Sequence, residues 1–281
     1  MAVGSFLRSL VPFVSKDFWT EMRFKTLIVG YALALALLLF AQRHPDAAKP
    51  EFSRVLDLTH ALNKAVPTYE LAEKGSFHTK TTATIEKDHY FAREISLPEH
   101  YGTHIDAPAH FGGAWTVDQI PVERLLAPLV IIDVSQKVQT NPDYQLSPED
   151  VATWEKAHGQ VPMGAVVMAR TGWSRRWFSA SDYRSADKSG VMHFPGFSLL
   201  AAKFLIEARS AVGLGIDTLS IDYGPSQDFQ VHQYSLSKGA YHLENVANLD
   251  SAPESGAIVV VAPMKIEGGS GGPVRILALV R

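Results

Sequence analysis

The chain has 281 residues, of which 46% are apolar, with 26 Lys+Arg against 29 Asp+Glu and no cysteine. A formal charge of −3 without a polybasic run gives no electrostatic basis for nucleic-acid binding. The missing cysteines exclude disulfides, thiolate-bound zinc, iron–sulfur clusters and thiol catalysis, so any metal has to rest on His, Asp and Glu.

Between Lys25 and Arg43 the chain is uncharged and largely aliphatic. As a helix this run is roughly 25 Å long, the short limit for a hydrocarbon core of about 30 Å. Arg23 and Lys25 precede it, and the bias of Arg8, Lys16, Arg23 and Lys25 over Asp17 and Glu21 favours an N-inside orientation. Residues 1–42 are therefore expected to be a signal peptide or membrane anchor, although the small-x-small cleavage pattern is poor; a buried core helix is the alternative. Export follows as the expectation, periplasmic or anchored to the inner membrane and facing the periplasm. Residues 43–53 form the linker, and residues 54–281 a single body.

Within the body, residues 55–58 suit a short strand and residues 59–70 a loop containing Pro67. The Thr-rich alternation of residues 79–85 suits another strand. The apolar runs 129–134 and 165–170 have the length of buried strands. Ser147-Pro-Glu-Asp150 is a helix start with proline at the first helical position, opening a helix to residue 158. Residues 198–208 carry apolar side chains at helical spacing and lead into a strand at 212–216, and residues 257–262 and 274–280 close the chain as buried strands. Strands alternating with helices predict an α/β or mixed α+β architecture around one core. No Gly-rich phosphate loop follows a strand.

The segment Glu99-His-Tyr-Gly-Thr-His-Ile-Asp-Ala-Pro-Ala-His-Phe111 concentrates three histidines and an aspartate. His104 and Asp106, two apart, share one face of a strand and can converge on one ion. His100 can join if the chain turns at Gly102. In an extended chain His110 lies a further ~13 Å on, beyond direct reach, though Pro108 bends the path and can return it towards the site. A second cluster places His232 on a short helix ending at Gly239 and Glu244 at the end of a strand-like stretch. His242, two residues before Glu244, shares its strand face, but Gly239 sets a different path for it. Asp217 and Asp222 read as a strand end beside the cavity, and His193 with Phe194 as a loop near substrate. Trp115, Trp173 and Phe111 are candidates for an aromatic wall.

The pattern His100-Tyr-Gly-Thr-His-Ile-Asp-Ala-Pro-Ala-His-Phe111 resembles that of the cyclase family, whose best-known members are bacterial kynurenine formamidases (arylformamidases), with isatin hydrolases more distant. Thr171-Gly-Trp173, Gly215-Ile-Asp-Thr-Leu-Ser220, Glu244-Asn245 and Pro273-Val-Arg275 match in the family's order, so the resemblance spans about residues 54–281. It implies a mixed α/β fold with a β-barrel-like core and flanking helices (a swivelling β/β/α fold), and a homo-oligomer. It also implies one or two Zn2+ ions, or Mn2+: His100, His104 and Asp106 would hold one ion, and Asp106, His232 and Glu244 a second. His110 matches the family's proton donor and acceptor. Kynurenine formamidases carry a tryptophan in the loop after the first strand, where this chain offers Tyr69.

Two dications side by side need bridging carboxylates, and metal-bound water ionises near neutrality, which suits hydrolysis of an amide, formamide, imide or lactone. A histidine nearby can protonate the leaving group. Tyr69, Phe111 and Trp115 are the expected substrate contacts. The rival readings are an iron oxygenase with the facial triad His104, Asp106 and His232, and a non-catalytic periplasmic metal-binding protein.

Overall fold

The computed structural model describes residues 52–69 and 77–281. The expected N-terminal segment and most of the linker lie outside the described residues, and no helix among the described residues is long and apolar enough to cross a membrane.

Among the described residues there are twelve strands: β1 Arg54–Asp57, β2 His78–Ala83, β3 Ala92–Ser96, β4 His104–Asp106, β5 Leu126–Asp133, β6 Gln145–Leu146, β7 Val166–Arg170, β8 Gly196–Phe197, β9 Gly213–Ile216, β10 Tyr241–Glu244, β11 Ala257–Pro263 and β12 Gly271–Val280. The helices are α1 Ile85–Asp88, α2 Ser135–Thr140, α3 Pro148–His158, α4 Ala180–Arg184, α5 Leu199–Lys203 and α6 Gln230–Ser237. Seven strands run β12-β11-β5-β7-β9-β10-β4, and β4 pairs back onto β12, closing a barrel. β5, β7, β9 and β10 are mutually parallel, which requires crossovers, and α3, α5 and α6 lie in those connections. The remaining barrel contacts are antiparallel. β12 is long enough to hold β4 at Gly271–Pro273 and β1 at Leu277–Val280.

Alternation along each strand divides the apolar residues into two cores. Ile105, Leu129, Ile131, Met168, Leu243, Val259 and Ile276 point into the barrel. Val130, Ile132, Val167, Leu214 and Ile216 point outward and pack beneath the helices. On β9 the inward positions are Gly213 and Gly215, where a Cβ would stand 2.5 Å from the Tyr241 ring and 2.7 Å from Met168 Cγ. Only glycine lets those two large side chains fill the barrel.

The mixed barrel with flanking helices agrees with the expected architecture, and the differences are local. The strand expected over 79–85 is β2, which ends at Ala83 because Thr84 becomes the N-cap of α1. The helix expected over 198–208 begins as α5 behind the Ser198 cap but continues through Phe204–Ala208 as a π-helix. α3 starts as expected, with Ser147 Oγ accepting from Asp150 N and the Asp150 carboxylate accepting from Ser147 N.

Candidate metal centre

The register of β4 against β10 builds the centre. Asp106 stands opposite His242, and His104 opposite Glu244. Directly opposed residues share a face, and here the intervening Ile105 and Leu243 point into the barrel. All four polar side chains therefore lie on the outer wall, beneath the helical layer, where α6 adds His232. His104, Asp106, His232, His242 and Glu244 are all buried.

Asp106 is the hub. Its Oδ1 meets His100 Nδ1 at 2.6 Å and His104 Nε2 at 3.2 Å, while Oδ2 meets His232 Nε2 at 3.4 Å and His242 Nδ1 at 3.6 Å. Glu244 closes the ring, 3.4 Å from His104 Nε2 and 3.2 Å from His232 Nε2. Donors around one tetrahedral ion with bonds of about 2.1 Å stand roughly 3.4 Å apart, so these separations fit a cation. Asp106 Oδ2 and His242 Nδ1 are buried without a hydrogen bond among the described residues, a further sign that the set is built for a positive charge. A facial triad accounts for only three of these groups.

His104, Glu244 and His232 are each aimed from behind. His104 Nδ1 donates to Gly102 O at 2.9 Å, which turns Nε2 towards Asp106 and Glu244. Gly102 takes the turn expected of it, at φ +69°, and a Cβ there would lie 2.5 Å from Leu62 Cδ2. Asn245 Nδ2 donates to the same Gly102 oxygen at 2.9 Å. Glu244 Oε1 accepts from Ile221 N at 2.8 Å. His232 Nδ1 donates to Asp222 Oδ2 at 2.7 Å, and the same carboxylate accepts from Val231 N and His232 N. Asp222 thus caps α6 and orients the His232 ring on it with one side chain. Asp222→Ala is expected to lower metal affinity roughly 10- to 100-fold, the usual loss for such a partner, measurable by chelator competition; unchanged affinity would show that packing alone orients His232.

The charges follow from this packing. Burial opposes the charged form of His104, but Asp106 and Glu244 outweigh it and raise its pKa to about 9. His232 is likewise raised against its burial, by Asp106, Asp222 and Glu244. Burial would raise Asp106, yet the surrounding imidazoles, His104 foremost, hold it well below the ordinary value. Without a cation, protons on His104 and His232 take its place between the carboxylates.

The centre opens into a cavity of about 490 Å³. Phe111, Phe229 and Tyr69 form an aromatic arc along it, with centroids 6.0 Å apart for Phe111–Phe229 and 6.1 Å for Tyr69–Phe229. The Tyr69 loop is pinned by Arg184, whose guanidinium donates to the carbonyls of Thr68 and Tyr69. His110 does return to the site: a 3-10 turn at Pro108–Phe111 stacks its ring on His100 at 4.0 Å. Removal from water by the adjoining rings lowers its pKa to about 4.

The remaining candidates divide between the centre and the rest of the fold. Trp115 is not part of the cavity wall; its indole sits beside Gly239 with the Arg124 guanidinium 5.0 Å from the ring centroid. The reason is the 3-10 turn, which points Phe111 into the cavity and carries the chain outward before Trp115. Trp173 and Phe194 are buried in the core beneath the helices. His193 pairs with Asp143 at 2.8 Å and lies outside the cavity. Asp217 accepts from Thr171 Oγ1 and Thr171 N rather than reaching the centre. His242 is held at the centre by pairing opposite Asp106, whatever turn Gly239 makes before it. Phe229 has no sequence signature: it precedes α6 in the left-handed conformation, at φ 48°.

A family model described as "Putative cyclase" matches residues 56–223. Isatin hydrolase of Roseibium aggregatum is 36% identical over 194 residues, covering 66% of this chain and 73% of that protein. Kynurenine formamidase of Bordetella petrii is 29% identical over 225 residues, 80% of this chain and 97% of that protein. Of these two the isatin hydrolase has the higher identity, the reverse of the order implied by the motifs. In structure, isatin hydrolase A from Ralstonia solanacearum superposes with a TM-score of 0.77 at 36% identity, covering 81% of this chain and 92% of that one. A potential metal-dependent hydrolase with cyclase activity gives a TM-score of 0.62 at 26% identity, covering 81% and 98%. On a matched segment longer than half the sequence and on these relatives, the chain belongs to the cyclase family of metal-dependent hydrolases.

Proposed function

We propose that this hydrolase opens the amide bond of an aromatic carbonyl compound, with a cyclic aryl amide such as isatin ahead of an open-chain formamide. The observation that carries the reading is the convergence of His104, Asp106, His232 and Glu244 at the floor of a cavity walled by Tyr69, Phe111 and Phe229. The 36% identity to an isatin hydrolase and Tyr69 in place of the tryptophan loop support the cyclic amide over the formamide.

His100, His104, Asp106, His232 and Glu244 would hold the metal, zinc or manganese, and Asp106 lies nearest to the histidines of the set. When bound, the metal supplies a polarised carbonyl and water of lowered pKa. The chain's own residues supply the rest. The aromatic arc takes the faces of the substrate ring and excludes water from them. An imidazole nitrogen of His110 lies within 4.8 Å of ligand atoms of both Asp106 and His100. Neutral at pH 7, His110 accepts the proton lost by the attacking water and hands it to the leaving nitrogen as the C–N bond breaks. One water is consumed, and a carboxylate and an amine result.

The test is turnover of isatin, N-formylkynurenine, an aryl formamide and an aryl lactone by metal-stripped protein reloaded with zinc or manganese. Isatin opening without oxygen uptake is expected, whereas no turnover of any aryl amide, or turnover that consumes oxygen, rejects the reading. Phe229→Ala is expected to raise KM for the aromatic substrate about tenfold with metal content unchanged, since losing one apolar contact costs roughly 1–3 kcal/mol. An unchanged KM would remove Phe229 from the substrate wall. The proposal extends to an exported, homo-oligomeric protein, on the strength of the apolar run between Lys25 and Arg43 and of the family resemblance. Protease accessibility in intact spheroplasts and light scattering test those two points.

A further inference from the structure

We propose that His242 is a direct ligand of the bound cation through Nδ1, a position that the family resemblance does not assign. The inference rests on the metal-dependent reading and follows from where the protons must be. Ser235 Oγ lies 2.5 Å from Val231 O and 2.5 Å from His242 Nε2. Two oxygens that close need the hydroxyl proton between them, so Ser235 donates to the Val231 carbonyl. Its oxygen can then only accept from His242, which fixes the proton on Nε2 and leaves Nδ1 as a bare lone pair.

That lone pair is buried, has no hydrogen bond and faces Asp106 Oδ2 at 3.6 Å, itself an unpartnered acceptor. Two buried acceptors facing one another repel unless something positive joins them. A proton shared directly would require a separation nearer 2.8 Å, and a bridging water would hold two acceptors about 4.5 Å apart. Two ligands of one ion with bonds of about 2.1 Å stand roughly 3.0–3.4 Å apart, depending on coordination number. The observed gap lies closest to that last case. The ligand atoms of Asp106, His232, His242 and Glu244 all fall within 4.8 Å of one another, so the same ion can reach each of them.

The strands explain why this nitrogen arrives there. Asp106 and His242 are directly opposed across β4 and β10, and the Ser235 side chain comes down from α6 onto the far side of the ring. Sheet register places the ring, and the helix sets its tautomer, as an outer partner does for a metal-bound histidine.

The experiment uses the full chain labelled with ¹⁵N-histidine, stripped of metal and titrated with zinc alone. Long-range ¹H–¹⁵N spectra should show His242 Nε2 protonated throughout and Nδ1 shifting from a bare to a metal-bound position as zinc is added. His242→Ala should weaken zinc binding by about 100-fold or more, beyond the 10- to 100-fold of an outer partner, and should alter the visible spectrum of the cobalt-substituted protein. An Nδ1 resonance that stays bare or becomes protonated while zinc is taken up overturns the assignment alone. Failure of the wild type to take up zinc, manganese or cobalt overturns it together with the metal-dependent reading. The wild-type spectra decide the matter even if His242→Ala does not fold.

Discussion

Asp106→Asn is expected to leave a protein that no longer retains its metal through dialysis and turns over no substrate. Each oxygen of this carboxylate faces two imidazoles, His100 and His104 on one side and His232 and His242 on the other. The amide keeps the shape and removes the charge that raises His104 and His232 and would balance a bound cation. Because loss of an outer partner already costs about 10- to 100-fold in affinity, loss of the hub should cost roughly 10³-fold or more. Elemental analysis of the dialysed variant measures it, and a full metal complement would show that Glu244 suffices as the anionic ligand. The same charge governs the metal-free protein. His104 titrates at about 9 there, above the value of about 6.5 expected in the unfolded chain. Its contribution to stability is fully present below about pH 6.5 and is lost as pH rises through about 9. The melting temperature of metal-free wild type should therefore fall across that window, and that of Asp106→Asn should fall less.

His110→Ala is expected to bind metal normally and to lose about 10²- to 10⁴-fold in kcat, the usual size of a proton-transfer contribution. His110 reaches the cavity from the 3-10 turn after β4, stacked on His100, and holds none of the outer partners described for the ligands. Its neutral form persists down to a pH of about 4, because the surrounding rings keep water from the imidazolium. As a base it is active above that value, so kcat/KM should hold through pH 5–8 with an acid limb near 4 rather than near 6.5. Full activity of His110→Ala, with metal in place, would remove this side chain from the mechanism.

Much of the centre was legible because its residues are close in the chain. His104 and Asp106 stand two apart, the period that puts side chains on one face of a strand, and β4 is that strand. The turn that brings His100 back is written in Gly102, and the helix start in Ser147-Pro148. The apolar runs also declared themselves, since β5, β7, β11 and β12 are buried strands near the expected positions. An extended chain would carry His110 a further ~13 Å along, and the 3-10 turn shortens that path.

What the chain alone determined, then, is local: which residues form strands, where helices begin, and that the 100–111 segment gathers histidines and an aspartate that could hold a metal. The tertiary structure decided the rest. Closure of β4 onto β12 and its pairing with β10 chose which face of each strand bears the histidines and carboxylates, and so brought His242 opposite Asp106. α6 then laid His232 over them with Asp222 behind it, while the turn after Phe111 sent Trp115 away to Arg124. Period and capping act over a few residues and leave their mark in the sequence. Register between strands more than a hundred residues apart is set by packing across the barrel, and no single stretch of chain encodes it.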